Sequence, residues 1–345
     1  MEASPDTSAA GQPRMPDPSV IMRLALAYRS SMVLFAASEL DFFSLLAGGA
    51  ATADDVAAAR GTAPDPTRLL LDACVAEGLL TLNREEYALT ATADAFLVKQ
   101  RPAYIGHGLK YAEDLYPVWG ELAQLVRSGR PAMVPEEILG NDPEKTRAFI
   151  YAMHERARGI GAVLPHGVDL TGRRHLLDVG GGPGTYSISL VKSAPGLRST
   201  ILDLPAVLEI TREIVAANGC ADRIDTRPGN YLETDFGRGY DAVLLSGMMH
   251  RERPADCQLL LRKAFGALDP GGIVIVSDVF FDDEERRTPA FATYFALSMM
   301  LTAEHGTTHS KLHMARWMDD AGFRDVEIRD LPKPNPHRLV IGRRP

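Results

Sequence analysis

The hydrophobic pattern divides the chain into two parts with different predicted secondary structure. Between residues 20 and 97, apolar residues recur at helical spacing, and alanine is frequent. From residue 175 onward, short runs of Val, Ile and Leu alternate with helical stretches. Continuous apolar strands between helices are typical of a parallel sheet that is covered on both faces. The pattern therefore predicts an α-helical N-terminal domain followed by an α/β domain.

The N-terminal part has the pattern of a winged helix. Its first segment, residues 21–49, is apolar on all sides, which indicates a helix pair that packs against another surface such as a second subunit. Two further helices follow, with Thr52 or Asp54 as a cap for the first and Asp65 with its proline opening the second. The stretch "LLTLNREEYALT" then predicts two short strands around a polar turn.

The second of these helices is a poor surface for a DNA groove, because its stretch "DPTRLLLDACVAEG" carries one arginine and three acidic residues. We therefore predict a winged-helix dimerisation domain at 19–100. Residues 101–165 show helical periodicity and predict a linker that lines a cleft, and 166–345 form the catalytic domain. Residues 1–18 lack the apolar segment of a signal peptide and are predicted to be a disordered tail.

Composition narrows the classes of function. The 345 residues are 46% hydrophobic and 24% charged, as in globular proteins, and the net charge of -8 argues against a nucleic-acid partner. The three cysteines lie far apart, so we expect a reducing compartment and no disulfide framework. We also expect no membrane partner, because no apolar run reaches the roughly 18 residues of a span. The predicted location is cytoplasmic.

A glycine-rich loop follows the first strand of the α/β part. In "LLDVGGGPGTYSISL" the strand ends at Asp178, glycines follow, and a helix begins near Thr185. Glycines allow a sharp turn and a close approach of the backbone to a ligand. Pro183 interrupts the phosphate-binding spacing of dinucleotide sites, and the next strand ends in Asp203, whose carboxylate can accept both hydroxyls of a ribose. The two acids and the loop predict a nucleoside-containing cofactor.

A histidine ends the apolar run "LLSGMMHRERPAD". A buried strand that stops at His250 predicts a polar side chain delivered to a pocket, and Arg251 follows it directly. Further along, His305, His309 and His313 recur at a spacing of four and would share one face of a helix. Together with His250, such histidines are ligands that transition metals prefer.

The chain resembles the S-adenosylmethionine-dependent small-molecule methyltransferases of the caffeic acid and hydroxyindole O-methyltransferase type. The resemblance covers nearly the whole chain and rests on "DVGGGPG", "LDLP", "RPGNYLE" and "LDPGGIVIVSD". It implies a Rossmann-like class I methyltransferase domain of α/β class, behind an N-terminal α-helical winged-helix domain that forms a homodimer. The cofactor would be S-adenosyl-L-methionine. The resemblance implies cofactor contacts from Asp178, Gly180, Gly181, Gly182, Asp203, Leu204, Asn230, Tyr231 and Ser246.

In the plant-type members of that family the matching strand ends in His-Asp-Trp, and the histidine is a general base. Here His250 matches the base, Arg251 replaces the aspartate and Glu252 the tryptophan, while the two later acids align with Asp278 and Thr308. The resemblance thus implies catalytic roles for His250, Glu252 and Asp278. Residues that would line the acceptor pocket are Phe149, Met153, Met249, Phe295 and Met299.

Two enzymatic readings follow for a small-molecule acceptor. In a minority branch related to the family, a divalent metal (zinc or iron) supports C-methylation of a 2-oxo acid; here His250, His305 and His309 would hold it, with Glu252 or Asp278 as oxygen ligands. The alternative is O-methylation of a phenolic hydroxyl with His250 as base. The replacement of the residues that usually orient the histidine, together with the extra histidines, favours the metal-assisted reading. A winged-helix regulator that senses the cofactor is a third reading, but the basic recognition helix is lacking.

Overall fold

The computed structural model of the chain describes residues 17–133, 139–333 and 335–345. The described chain divides into two compact units, Met1–Tyr104 and Ile105–Pro345. The tail predicted at 1–18 lies outside the described residues except for its last two positions.

The first unit consists of short helices and one antiparallel hairpin. The predicted two strands pair in register, with Leu80 opposite Leu89 and Asn83 opposite Glu86. Thr52 caps a helix as expected: its hydroxyl accepts from the amide of Asp55, whose carboxylate accepts from the amide of Thr52. The elements are α1 Ser19–Leu26, α2 Tyr28–Glu39, α3 Phe42–Leu46, α4 Ala53–Arg60, α5 Pro64–Ala76, β1 Leu80–Asn83, β2 Glu86–Leu89 and α6 Ala91–Leu97.

The helical stretch that opens this unit exposes its apolar side chains. Ile21 is 66% exposed and Leu24 is 63% exposed. The stretch Ser19–Glu39 is long and apolar enough to cross a membrane by length and composition alone, with a mean hydropathy of 1.5. The expectation that no stretch meets this criterion is therefore wrong. Contiguous exposed apolar surface of this kind marks an interaction site, for which a second copy of the chain is the predicted cover.

We expect the protein to be a homodimer through this stretch. Light scattering at micromolar concentration should give about twice the 37.5 kDa chain mass. The double variant Ile21→Glu/Leu24→Glu should shift the mass toward the monomer, because it places charges in the apolar interface. Val126→Glu is the matched control, since Val126 is 75% exposed on α8 of the second unit. A wild-type chain that runs as a monomer would contradict the prediction.

The second unit is built on a seven-stranded sheet with the order β5-β4-β3-β6-β7-β9-β8. The first five of these strands in chain order are parallel, whereas β9 runs antiparallel to its two neighbours, β7 and β8. The elements are α7 Gly106–Gly120, α8 Leu122–Ser128, α9 Pro143–Gly167, β3 His175–Val179, α10 Thr185–Ser193, β4 Arg198–Asp203, α11 Pro205–Ala217, β5 Ile224–Pro228, β6 Tyr240–Ser246, α12 Pro254–Ala267, β7 Leu268–Val279, α13 Ala290–Thr302, α14 Lys311–Asp320, β8 Arg324–Asp330 and β9 His337–Arg343.

The apolar strands predicted from the sequence form the interior of this sheet. Central strands such as β6 are buried along almost their whole length, which requires helices on both faces. The two strands predicted at the end of the chain are present, and β9 inserts between β7 and β8. Within the described residues, the segment predicted as a helical linker contains α7, α8 and most of α9, which ends two residues beyond the expected boundary at 165. From Ile105 onward it belongs to the second compact unit.

The strand order reverses direction at β3, which has β4 on one side and β6 on the other. Ligands of open α/β sheets bind outside the carboxyl ends of the strands at such a switch point. Asp178, Asp203 and Ser246 all stand at or near the carboxyl ends of these three strands. This edge of the sheet is therefore the candidate functional site.

Candidate functional site

The glycine loop packs so tightly that side chains cannot replace its glycines. Gly180 and Gly184 have φ angles of 63° and 73°, a region that favours glycine. A Cβ on Gly181 would lie 2.8 Å from the carboxyl carbon of Asp178 and 2.9 Å from the Ile201 side chain. Gly182 also has a positive φ, 52°. The loop therefore brings bare backbone to the carboxyl end of β3, where the N-terminus of α10 begins.

Asp178 is a buried acid whose two carboxylate oxygens differ in their hydrogen bonding. Its Oδ2 accepts a hydrogen bond from the hydroxyl of Ser187 at 2.6 Å, while its Oδ1 has no partner among the described residues. Burial raises the pKa of Asp178 to about 7, against the hydrogen bond from Ser187. A buried acceptor without a partner is costly unless a ligand supplies a donor. The oxygen thus fits a cationic or N–H-bearing group of a bound molecule.

Asp203 is the second acid of this edge and stands at the end of β4. Its two oxygens accept from the backbone amides of Gly182 and Leu204, both at 2.7 Å. Burial raises the pKa of Asp203, and these two hydrogen bonds work in the opposite direction. Each oxygen keeps a lone pair, so the carboxylate can still accept from two hydroxyls of a ligand.

The ring of Tyr231 packs against the glycine loop. A Cβ on Gly180 would meet the Tyr231 ring at 3.4 Å. The Tyr231 hydroxyl donates to Oε1 of Glu252 at 2.6 Å, and burial together with the charge of Glu252 raises the pKa of Tyr231 well above its usual value. Asn230 uses its side-chain oxygen to accept from the amide of Leu232, which fixes the turn. One carboxylate oxygen of Glu252 therefore already accepts a hydrogen bond from Tyr231.

His250 and Asp278 form a hydrogen-bonded pair beside this loop. His250 lies on a 3₁₀ turn, Met249–Arg251, that follows β6, and its Nδ1 is 2.7 Å from Oδ1 of Asp278 near the end of β7. A carboxylate only accepts, so Nδ1 carries the proton and Nε2 carries the lone pair. Burial acts to raise the pKa of Asp278, but the hydrogen bond from His250 and the charge of that ring when it is protonated outweigh burial and hold the pKa below its usual value.

A second histidine, His337 on β9, lies close to this pair. It is buried, and its Nδ1 is 3.1 Å from the hydroxyl of Ser277. Burial lowers the pKa of His337 to about 4, although the charge of Asp278 opposes the shift. His337 is therefore neutral near pH 7, and His250 is the imidazole that Asp278 orients.

The predicted metal site is wrong. Within the described ranges, no three His, Cys, Asp or Glu side chains come together as a group that could hold a metal ion. The Nε2 of His309 contacts the carbonyl oxygens of Met249 and Glu252 at 3.1 and 3.0 Å, and the Nε2 of His305 is hydrogen-bonded to the guanidinium of Arg253. His250 is hydrogen-bonded to Asp278, and Glu252 is hydrogen-bonded to Tyr231. Each candidate ligand thus has its own separate partner.

The helix expected to carry the three later histidines begins later than predicted. His305 and His309 lie in the loop between α13 and α14, and only His313 is on α14, which starts at Lys311. The ring of His313 stacks on Trp317 at 6.0 Å and lies 3.9 Å from a carboxylate oxygen of Glu284. A spacing of four therefore gives no common face here.

One aromatic side chain, Phe295, contacts His250 of the His250–Asp278 pair, and a second aromatic contact joins α7 and α9. The ring of Phe295 on α13 meets that of His250 edge-on at 4.9 Å, and Phe149 on α9 meets Tyr111 on α7 edge-on at 5.5 Å. Met153 and Met299 are half-buried on the same two helices, α9 and α13. Met249, by contrast, is fully buried and belongs to a hydrophobic core cluster, so its place in the acceptor pocket stays a prediction.

Several contributors to the site were missed in the sequence. Ser187 orients Asp178 from α10, and the hydroxyl of Thr211 on α11 donates to the carbonyl of Gly182 at 2.6 Å. Tyr111 and His337 also went unnoticed, although their neighbours Phe149 and Asp278 were named. Ser187 lies nine residues after Asp178 in the same loop–helix segment, whereas the others come from elements far away in the chain. No local spacing marks any of them.

The fold and the site together define a class of protein. The sheet order, the bare loop after β3, the free oxygen of Asp178 and the two-fold acceptor at Asp203 fit S-adenosylmethionine: an acid for its amino group and another for its ribose hydroxyls. These features are those of class I S-adenosylmethionine-dependent methyltransferases.

Comparisons with known proteins identify the family. Residues 119–324 match the O-methyltransferase domain model and residues 22–99 match the O-methyltransferase dimerisation domain model. The chain belongs to this O-methyltransferase family and is an S-adenosylmethionine-dependent methyltransferase. The expected fold is confirmed: a helical dimerisation domain is followed along the chain by a class I methyltransferase domain. The dimerisation match also supports the homodimer.

Individual relatives cover almost the whole chain. The tetracenomycin polyketide synthesis 8-O-methyl transferase TcmO of Streptomyces glaucescens is 33% identical, over 95% of this chain and 97% of its own. The L-tyrosine C(3)-methyltransferase of Streptomyces lavendulae is 30% identical, over 89% and 88%. The human N-acetylserotonin methyltransferase, solved with S-adenosylmethionine, superposes with a TM-score of 0.84 at 26% identity, over 96% and 99%.

These findings correct the preferred reading of the sequence. The relatives support a small-molecule S-adenosylmethionine-dependent methyltransferase, and metal-assisted C-methylation of a 2-oxo acid has no support from them. Transfer to an oxygen, the alternative reading, fits the family better.

Proposed function

We propose that this enzyme transfers a methyl group from S-adenosylmethionine to the hydroxyl of an aromatic small molecule, with His250 as the general base. The observation that carries the proposal is the 2.7 Å contact between Nδ1 of His250 and Asp278. The acid at this position supplies the support that Arg251, next to the histidine, cannot give. The altered sequence around His250 thus leaves its orientation intact.

The chemistry follows from the tautomer that Asp278 imposes. With Nδ1 protonated, the Nε2 lone pair of His250 takes the proton of the acceptor hydroxyl, and the carboxylate of Asp278 stabilises the imidazolium that results. The acceptor oxygen then bonds to the methyl carbon as the carbon–sulfur bond breaks. The cofactor supplies an activated methyl group on a sulfonium. Because Asp278 is buried, its charge acts on His250 with little screening by water.

The cofactor contacts are proposed for the residues of the carboxyl edge. Asp203 accepts the ribose hydroxyls, the free oxygen of Asp178 faces the amino end, and Tyr231 and Asn230 flank the adenine. The loop glycines Gly180, Gly181 and Gly182 admit the cofactor because a Cβ is absent, and Leu204 and Ser246 complete the rim.

Loss of the Asp203 carboxylate should weaken cofactor binding. Asp203→Ala removes a charged acceptor of two hydroxyls, a loss of roughly 1.5–3 kcal/mol, or about tenfold to a hundredfold in affinity. Calorimetric titration with S-adenosylhomocysteine measures the change. Asp222→Ala is the matched control, because Asp222 is exposed and lies outside the carboxyl edge. An unchanged affinity in Asp203→Ala would refute the assignment.

The acceptor is proposed to be flat and aromatic. Phe295 presents its ring to His250, and Phe149, Met153 and Met299 lie half-buried on the adjacent helices. Aromatic rings favour edge-to-face and offset contacts with other rings, and the flexible methionines adapt to the remaining outline. Tyr111, which meets Phe149, adds a polar group to the same surface.

A matched pair of probe acceptors tests the function. With S-adenosylmethionine, the enzyme should methylate 2-naphthol and leave 2-methoxynaphthalene, in which a methyl group already replaces the hydroxyl proton, unchanged. Activity should persist after dialysis against a chelator, because the base is a side chain. Loss of activity on chelation that zinc or iron restores would return the reaction to metal catalysis. Failure with 2-naphthol and a wider set of hydroxyarenes would contradict the proposed function.

A further inference from the structure

The turn that carries His250 is short and is held from outside. It spans Met249–Arg251 between β6 and α12; the amide of Arg251 donates to the carbonyl of Met248, just before the turn, and the amide of Glu252 donates to that of Met249. A turn of this length leaves the base with little intrinsic rigidity. The loop between α13 and α14, residues 303–310, supplies the missing contacts, and we call it the clasp loop.

The clasp loop binds the turn at three backbone carbonyls. The amide of Thr307 donates to the carbonyl of His250 at 2.8 Å. The Nε2 of His309 lies 3.1 Å from the carbonyl of Met249 and 3.0 Å from that of Glu252. The imidazole of His309 therefore bridges Met249, directly before His250, and Glu252, directly after the turn.

The tautomer of His309 follows from its two neighbours. Carbonyl oxygens only accept, so Nε2 carries the proton and donates to both in a bifurcated bond. The thiol of Cys257 lies 3.4 Å from the same nitrogen and 3.5 Å from the Met249 carbonyl, to which it donates. His309 is buried, and burial lowers its pKa, so the ring is neutral near pH 7.

The clasp loop is also fixed to the strand that carries Asp278. The amide of Phe281, three residues after Asp278, donates to the carbonyl of His309 at 2.9 Å, and the amide of Lys311 donates to the carbonyl of Phe281 at 3.1 Å. The ring of His309 meets Trp317 of α14 edge-on at 5.2 Å. The loop thereby links the segment after Asp278 to the turn of His250. It therefore influences the distance between His250 and Asp278.

We propose that His309 is the positioning residue of the base: its Nε2–H ties the carbonyls of Met249 and Glu252 together and so fixes the direction in which His250 points. The inference rests on the proposed function, in which Nε2 of His250 meets the acceptor hydroxyl. His309 touches neither cofactor nor acceptor in this role, and it acts through the backbone of the turn.

Three substitutions separate this role from a general packing effect. The amide nitrogen of a glutamine stands at the same distance along the side chain as Nε2 of histidine, so His309→Gln keeps the donor. His309→Asn places its amide nitrogen where Nδ1 stands and loses it, and His309→Leu fills the space without any donor. We expect kcat with 2-naphthol to fall about tenfold to a hundredfold in the Asn and Leu variants and within a few-fold in the Gln variant, with KM for S-adenosylmethionine unchanged.

A readout without an acceptor keeps the inference distinct from the proposed function. Nitrogen-15 NMR of labelled histidine, assigned with His250→Gln, should show His250 as a single Nδ1–H tautomer in the wild type and His309→Gln, and as averaged tautomers in His309→Asn and His309→Leu. This result supports the positioning role even if 2-naphthol is not a substrate. A single Nδ1–H tautomer in all four proteins, or equal disruption by Gln and Asn, would overturn it.

Discussion

His250→Ala should lower kcat for methyl transfer to 2-naphthol by about 10²–10⁴-fold, the usual contribution of a positioned general base. The lone pair on Nε2 disappears with the ring, and Asp278 is then the nearest base, but it lies behind the histidine at the end of β7. Affinity for S-adenosylhomocysteine should stay within a few-fold of the wild type, because the cofactor contacts lie on the glycine loop, Asp178 and Asp203. Steady-state kinetics with calorimetry separates the two effects.

The control for this variant is His313→Ala. His313 is a partly exposed histidine on α14 that stacks on Trp317, so its loss tests for nonspecific effects of removing an imidazole. We expect nearly wild-type kcat from it. If His250→Ala also kept nearly wild-type kcat, the base would have to be sought elsewhere and the proposed mechanism would be wrong.

Asp278→Asn should lower kcat by a similar factor, about 10²–10⁴-fold, while leaving His250 in place. The carboxylate now accepts from Nδ1 of His250, from the amide of Val279 at 2.7 Å and from the amide of His250 at 3.3 Å. An asparagine amide group must turn its NH₂ toward one of these donors, so one hydrogen bond becomes a clash of two donors. The negative charge that stabilises an imidazolium is also lost.

The control is Asp319→Asn, at an exposed position on α14. It should leave kcat and the melting temperature unchanged. In Asp278→Asn, a defect confined to kcat with unaltered cofactor affinity indicates loss of base orientation. A variant that folds, binds cofactor and turns over like the wild type would show that Asp278 does not support the base.

Strongly periodic parts of the chain were predictable from the sequence. The apolar runs of β3, β4 and β6 are buried on both faces, and this burial is why their pattern is continuous. The glycines of the loop after β3 and the acid at the end of β4 are local features that follow directly from the strand ends. They were therefore visible without a structure, and the structure places them on one edge.

The side-chain partners around His250 were predictable only in part. The family resemblance named Asp278 beside His250. Arg251, in place of the usual acid, nevertheless suggested that no carboxylate orients His250. In the structure the support comes across the sheet from β7, and the aspartate also accepts from the backbone of His250. Which acid reaches a base depends on strand neighbours, and sequence distance does not show them.

The metal prediction failed for a related reason. A spacing of four has a structural meaning only if the segment is helical, and His305 and His309 precede the helix. His309 instead turns inward, where its ring lies within hydrogen-bond distance of the carbonyls of Met249 and Glu252. Histidine-rich segments therefore need an independent indication of helix before a ligand set is read from them.

The site of methyl transfer on the acceptor tests the central claim most directly. One family member, the L-tyrosine C(3)-methyltransferase relative, is named for methylation at a carbon, and a phenolate formed by His250 has nucleophilic carbons as well as oxygen. Incubation with 2-naphthol and S-adenosylmethionine labelled with carbon-13 in the methyl group, followed by carbon NMR, shows which atom received the label. The account predicts a methoxy carbon that is absent with His250→Ala; a label on a ring carbon, or an equal yield from that variant, would contradict it.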